Sequence, residues 1–134
     1  MITNMLSYNR KRVCILYEIE FYYDKNGKSE IVDFLDELNS KTSKTDRINR
    51  EKILAYIGAL SRYGTRIGKP YVKHIDDEIW ELRPLGNRIF FFYWKDNKFV
   101  LLHHFIKKSQ KTPPKEISKA KSNLKDFLER NDNI

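Results

Sequence analysis

Hydrophobic and polar positions follow two different periods along this chain, and each switch of period marks an element. Val13 to Tyr23 is rich in β-branched and aromatic residues, and from Tyr17 apolar positions alternate with Glu18 and Glu20. A period of two predicts a strand, closed by the turn Asp24-Lys-Asn-Gly27. Ser29 is placed to cap a helix. Ile31, Phe34, Leu35 and Leu38 then recur at i, i+3, i+4 and i+7, the apolar stripe of an amphipathic helix. After a polar loop from Asn39 to Lys44, a second helix is predicted from about Thr45 to Tyr63. It keeps Ile53, Ile57 and Leu60 on one face and Arg47, Arg50 and Lys52 largely outside, and Gly64 is its C-cap. The two helices form an α-hairpin.

The second half returns to period two. Tyr71 to Leu85 reads as a strand interrupted or preceded by the acidic turn Asp76-Asp-Glu78. Arg88 to Trp94 is almost wholly aromatic and apolar, as expected of a central strand buried on both faces. Lys95-Asp-Asn-Lys98 makes a hairpin turn, and Phe99 to Ile106 is the last strand. Thr112-Pro113 reads as a cap followed by a first helical residue. The final helix turns Ile117, Ala120, Leu124, Phe127 and Leu128 inward. The order β-α-α-β-β-β-α, with short turns between consecutive strands, predicts an α+β domain. Its expected parts are a small antiparallel sheet, an N-terminal α-hairpin and a C-terminal helix, with the helices covering one face.

Length and composition narrow the class. A chain of 134 residues without repeats or linkers is one domain. Its 26 Lys and Arg exceed 18 Asp and Glu, a net charge of +8. The excess is uneven. Lys and Arg number 11 against 9 acidic residues up to Gly64, and 15 against 9 beyond it. A polyanion-facing surface therefore belongs mainly to the C-terminal half. The single cysteine, Cys14, cannot form an internal disulfide and reads as a small core hydrophobe. Met1 to Arg12 lacks the order of a signal peptide, and no run approaches the roughly 18 apolar residues of a membrane helix. A cytoplasmic location is expected, with no membrane association.

The candidate chemistry gathers at strand ends. Alternation puts Glu81 and Arg83 on one face, toward the open side, and Trp80 and Leu82 on the core side. It sets Arg88, Phe90, Phe92 and Trp94 opposite Ile89, Phe91 and Tyr93. It groups His104 with Leu102 and Ile106, and His103 with Leu101 and Phe105. Arg83, Arg88, Lys107 and Lys108 are therefore candidates to bind phosphate, since guanidinium groups grip it bidentately. Lys73, Lys111 and Lys115 extend the same charge as RNA contacts. RNA cleavage without a metal fits such a set. The 2′-hydroxyl attacks the neighbouring phosphorus, cations stabilise the charge that develops, and an acid and a base move protons. His104, Tyr93 and the lysines are the candidates for proton transfer. The scattered carboxylates provide no expected metal site, since Asp76-Asp-Glu78 reads as a turn, and no cofactor loop is present. A solvated basic surface and a His103 or His104 held in the core are the plain structural alternatives.

Several motifs act in combination: Tyr17-Glu-Ile-Glu-Phe21, Phe34-Leu-Asp-Glu-Leu38, Leu60-Ser-Arg-Tyr-Gly64, Trp80-Glu-Leu-Arg83, Asn87-Arg-Ile-Phe90, and Leu102-His-His-Phe-Ile-Lys-Lys-Ser-Gln-Lys-Thr-Pro113. With them the chain resembles the RelE/HigB superfamily of toxins from bacterial type II toxin–antitoxin systems, in its phage-derived HigB-like branch. The resemblance covers roughly Tyr17 to Ala120 and leaves Met1 to Arg12 outside. It implies a RelE-like fold and a ribosome-dependent endoribonuclease that cuts messenger RNA. It also implies neutralisation by a helix-turn-helix antitoxin, a heterotetrameric complex with it, and contact with operator DNA only through that antitoxin. Arg47 and Arg50 are expected antitoxin contacts. Arg83, Arg88 and the Lys107-Lys108 pair fall at the superfamily's cationic positions. Two lysines that precede the arginine in better-known members are replaced here by Ile79 and Glu81, and no tyrosine follows Tyr93. A non-catalytic nucleic-acid-binding module or corepressor is the alternative reading.

Overall fold

A computed structural model describes residues 16–131. Five strands and three helices run in the order β1 (Glu18–Phe21), α1 (Glu30–Ser40), α2 (Lys44–Tyr63), β2 (Val72–Asp76), β3 (Ile79–Leu82), β4 (Asn87–Tyr93), β5 (Lys98–Ile106) and α3 (Pro114–Asn131). A short 3-10 turn, Gly64–Ile67, ends α2. Cys14, the start of the expected first strand and the segment Met1 to Arg12 lie outside the described residues.

The helix boundaries have local causes. The Ser29 hydroxyl accepts from the Val32 amide at 3.3 Å and so caps α1. Ser43 does the same for α2 through the Asp46 amide at 3.1 Å. Gly64, at φ 65°, ends α2 in a conformation that suits glycine. A β-carbon there would also lie 2.9 Å from the Tyr17 ring. Thr112 is not used as expected, because α3 begins at Pro114 and the Thr112 hydroxyl turns instead to Glu81 at 3.3 Å.

The sheet order is β1-β5-β4-β3-β2. The α+β class holds, but three details of the expected layout change. First, Tyr71 to Leu85 is a hairpin of two strands, with Asp77 at φ 46° in the turn. Aspartate tolerates this left-handed conformation better than most side chains. Second, β2 to β5 form an antiparallel meander, whereas β1 pairs with β5 in parallel. The sheet is therefore mixed rather than wholly antiparallel. The α-hairpin carries the chain from one sheet edge to the other, a crossover long enough for parallel pairing.

Third, both faces of the sheet are covered. Ile31, Leu35 and Leu38 of α1 and Ile53, Ile57 and Leu60 of α2 pack on Ile19, Leu82, Ile89, Phe91, Phe99 and Leu101. Ala120, Leu124 and Phe127 of α3 pack on Ile79, Phe90, Phe92, Val100 and Leu102 opposite. A central strand apolar on both sides, as β4 is, requires a cover on each, so helices on one face alone would leave half of it in water.

A bulge resets β5. Phe90 pairs with His103 while the next residue, Phe91, pairs with Leu101, so Leu102 is the extra residue. An inserted residue shifts the alternation beyond it. His103 consequently faces α3 together with Leu102, and His104 faces the α-hairpin. The expected grouping of His104 with Leu102, and of His103 with Leu101, is thereby broken. Among the described residues no helix is long and apolar enough to cross a membrane.

Candidate functional site

The pairing register explains how the cations meet. Lys73 on β2 is the cross-strand partner of Glu81 on β3, and Glu81 is the partner of Phe90 on β4. One step toward the strand ends, Arg88 partners Phe105. All of these lie on the α3 face of the sheet, but α3 starts too late to cover them. The loop from Lys107 to Pro113 instead curves round the gap, anchored where the Lys107 amide donates to the Gly86 carbonyl at 2.8 Å. The result is a cleft of about 300 Å³ lined by Lys73, Arg83, Arg88, Lys107, Lys108 and Lys111, with Phe105 and Ile117 as its apolar wall.

Glu81 lies beneath this rim and is 1% exposed. Its Oε1 is 3.3 Å from Arg83 Nε and 3.8 Å from Arg88 Nε, and its Oε2 accepts from Thr112. One buried carboxylate thus orients two guanidinium groups and ties the loop to the sheet. Arg83 Nε has no aligned hydrogen bond, so the pair is held by charge more than by geometry. Arg88 Nη1 donates to the carbonyls of Leu85 and Asn87, both at 2.8 Å. Leu85 holds φ 58°, a conformation that costs an L-residue roughly 1–2 kcal/mol, and its carbonyl is one of the two that fix Arg88. Burial, and then the neighbouring Arg83, lower the Arg88 pKa from its usual value. Guanidinium nonetheless stays charged in proteins. Two like charges crowded in a half-dry cleft are relieved by an incoming anion, and a phosphate oxygen suits both.

The family model of the phage-derived Gp49-like proteins (DUF891) matches residues 33–125. The chain belongs to the Gp49-like family. Among curated proteins none matches it. The matched span of this Gp49-like chain contains every side chain that lines the cleft, from Lys73 to Ile117.

Six of the residues singled out from the sequence therefore line one cleft. The others lie elsewhere. Tyr93 is on the α-hairpin face of the sheet, packed edge-on against Tyr17 and Phe99, and its hydroxyl accepts from the Asn97 amide at 3.1 Å. Its place is a separate groove with Tyr17, Arg66 and Trp80. His104 is on that same face. It stacks on Phe34 at 4.0 Å between centroids, and Nε2 lies 3.1 Å from Asn87 Oδ1. Burial, with His103 as a further cause, pushes its pKa down to about 4, so the imidazole is neutral at ordinary pH. Lys115 is exposed in the first turn of α3, outside the cleft lining. Arg47 and Arg50 are on α2, where Arg50 donates to Asn39 Oδ1 at 3.2 Å.

Two residues near the cleft were not anticipated in these roles. Glu81 was expected to point to the open side, yet its alternation partner on the same face is the buried Ile79, and that pairing was the available signal. His74 borders the cleft at its edge, but it pairs with Trp80 and its ring packs on Trp80, on the α-hairpin face. His103 is committed elsewhere, with its ring nitrogens 3.3 Å from Glu30 Oε1 and 2.6 Å from Glu116 Oε1. It fastens β5 to α1 and α3. Among the described residues no three His, Cys, Asp or Glu side chains gather as a metal site.

Proposed function

We propose that this Gp49-like chain is the toxin of a type II toxin–antitoxin system of the RelE/HigB kind, and that it cuts messenger RNA on the ribosome without a metal of its own. The observation that carries this reading is the cleft itself. Its cations come from three separate segments, and its two arginines are preoriented by one buried carboxylate. Preorganised donors aimed at developing phosphate charge are the main device of metal-free phosphoryl chemistry. Membership of a phage-derived, toxin-like family often found in toxin–antitoxin systems supports the same reading.

The partner is a helix-turn-helix antitoxin that brings acidic and apolar groups. Besides Arg47 and Arg50, the exposed Leu85 and Ile106 beside the cleft offer apolar ground for it. A non-catalytic nucleic-acid-binding module is the second reading. It draws on Glu81, which neutralises part of the arginine charge where better-known superfamily members carry a lysine. Induced expression in a bacterium with mapped messenger 5′ ends separates the two. Growth arrest with new ends inside translated messages is expected, and unchanged growth with uncut message contradicts the nuclease reading.

A further inference from the structure

A row of rings crosses the sheet on the α-hairpin face, opposite the cleft. His74 of β2 pairs with Trp80 of β3, and Trp80 with Phe91 of β4. Tyr93, two residues after Phe91 and so on the same face, pairs with Phe99 of β5. Tyr17, just before β1, completes the row, its ring centroid 5.0 Å from Phe99 and 6.5 Å from Tyr93. Tyr17, Trp80, Tyr93 and Phe99 line a groove of about 230 Å³, together with Arg66 and Asn97. Tyr93 is 46% exposed and Trp80 is half-buried, so the α-hairpin leaves these rings open. They are also held in place. The Asn97 amide donates to the Tyr93 hydroxyl at 3.1 Å. Tyr17 is clamped to α2 through its backbone: its amide donates to the Ser61 carbonyl at 3.0 Å, and its carbonyl accepts from the Ser61 hydroxyl at 2.7 Å. The His74 ring rests edge-on against Trp80 at 5.2 Å between centroids. Arg66 is exposed, and among the described residues no carboxylate lines the groove.

We propose that this groove stacks an unpaired base of the RNA strand held in the cleft. It rests on the RNA-binding part of the reading above and not on cleavage. Preset aromatic faces suit a nucleobase, because every base offers a π-face. The Arg66 guanidinium can stack on the base or meet a phosphate, and the Asn97 amide can bond to a base edge. An arginine with no carboxylate beside it favours an anionic ligand. The path between the two sites favours a nucleic acid strand. Lys73 and His74 are consecutive on β2, the edge strand of the sheet, so their side chains take opposite faces. Lys73 lines the cleft, and His74 packs on Trp80 beside the groove. A single strand leaving the cleft can therefore round this edge with a cation at the turn and rings beyond it.

The test is a fluorescence titration with 2′-O-methylated oligoadenylate, which lacks the attacking hydroxyl and stays intact. In Trp94→Phe, Trp80 is the one tryptophan, and a base stacked in the groove quenches it. The expected result is saturable quenching by the oligoadenylate and none by inorganic phosphate. Tyr93→Leu in the same background, folded by circular dichroism, should bind about 5- to 150-fold more weakly, the loss that goes with one stacked base. Trp80→Phe, which keeps only Trp94, should show no quenching. Quenching of Trp94 instead would put the RNA elsewhere and overturn the inference. Binding that is lost in Arg83→Ala/Arg88→Ala but leaves Trp80 unquenched would also overturn it, while sparing the cleft. Quenching by a polyglutamate peptide and not by the oligoadenylate would make the groove a protein-docking surface, again against the inference. No binding of the oligoadenylate at either site would overturn the RNA reading of the cleft along with it.

Discussion

One face of the sheet carries two regions that obey opposite rules. Under α3, Phe90, Phe92, Val100 and Leu102 are sealed against Ala120, Leu124 and Phe127, with the Phe92 and Phe127 rings edge to face at 5.9 Å. A few residues along the same strands, beyond the helix start, Glu81, Arg83 and Arg88 crowd charge into a cleft left open. The covered half gains from burying apolar area. The open half concentrates like charges and holds Leu85 at positive φ, both of which cost stability without a ligand. Stability and candidate chemistry are thus divided along single strands, and substitutions on either side of the boundary should produce different kinds of failure.

The largest effect on folding belongs to the covered half. Phe92→Ala should cost about 3–5 kcal/mol, measured by denaturant unfolding, because it empties a fully buried ring site. A loss below about 1 kcal/mol would mean that α3 does not seal this face. The opposite face supplies a pH-dependent counterpart. His104 has a folded pKa near 4, depressed from 6.5. Between those values the unfolded chain binds the proton and the folded chain does not, so stability rises with pH across this window. The contribution is complete above pH 6.5 and lost as pH falls through 4, and amounts to at most about 3 kcal/mol. His104→Phe should flatten that part of the stability curve. An unchanged slope would show that His104 is not held neutral.

Glu81 sits on the boundary, and its loss should mix the two kinds of failure. Glu81→Gln leaves the buried Arg88 without its counter-charge and should cost about 1–3 kcal/mol. It also makes the cleft more positive. RNA binding at low salt should tighten while cleavage slows, because the arginines lose the carboxylate that orients them. Weaker binding and unchanged cleavage would reduce Glu81 to a structural ion.

Much of this division was legible in the chain. The spacing of Ile31, Phe34, Leu35 and Leu38 marks α1, and Ser29 marks its start. The apolar run of β4 shows a buried strand, and Arg83, Arg88, Lys107 and Lys108 stand at the ends of apolar runs, where a charge reaches water without leaving the sheet. Lys73 and Lys111 join them through register and loop path. The remainder depends on partners that periodicity cannot show. The extra residue at Leu102 is defined only against β4, and it decides which way both histidines face. The burial of Glu81 depends on lying between Lys73 and Phe90, across two strand pairings. His74 meets Trp80, on the face away from the cleft, only once Tyr71 to Leu85 folds back at Asp77.

The central claim is that the open cleft acts on RNA. Its most direct test compares Arg83→Ala/Arg88→Ala with wild type, by thermal unfolding and by mapping message ends after induction. Loss of even one transition-state donor typically costs about 10²–10³ in rate. The expected outcome is a folded double variant that no longer arrests growth or cuts message. A folded double variant that still cuts message at wild-type rate would contradict the claim.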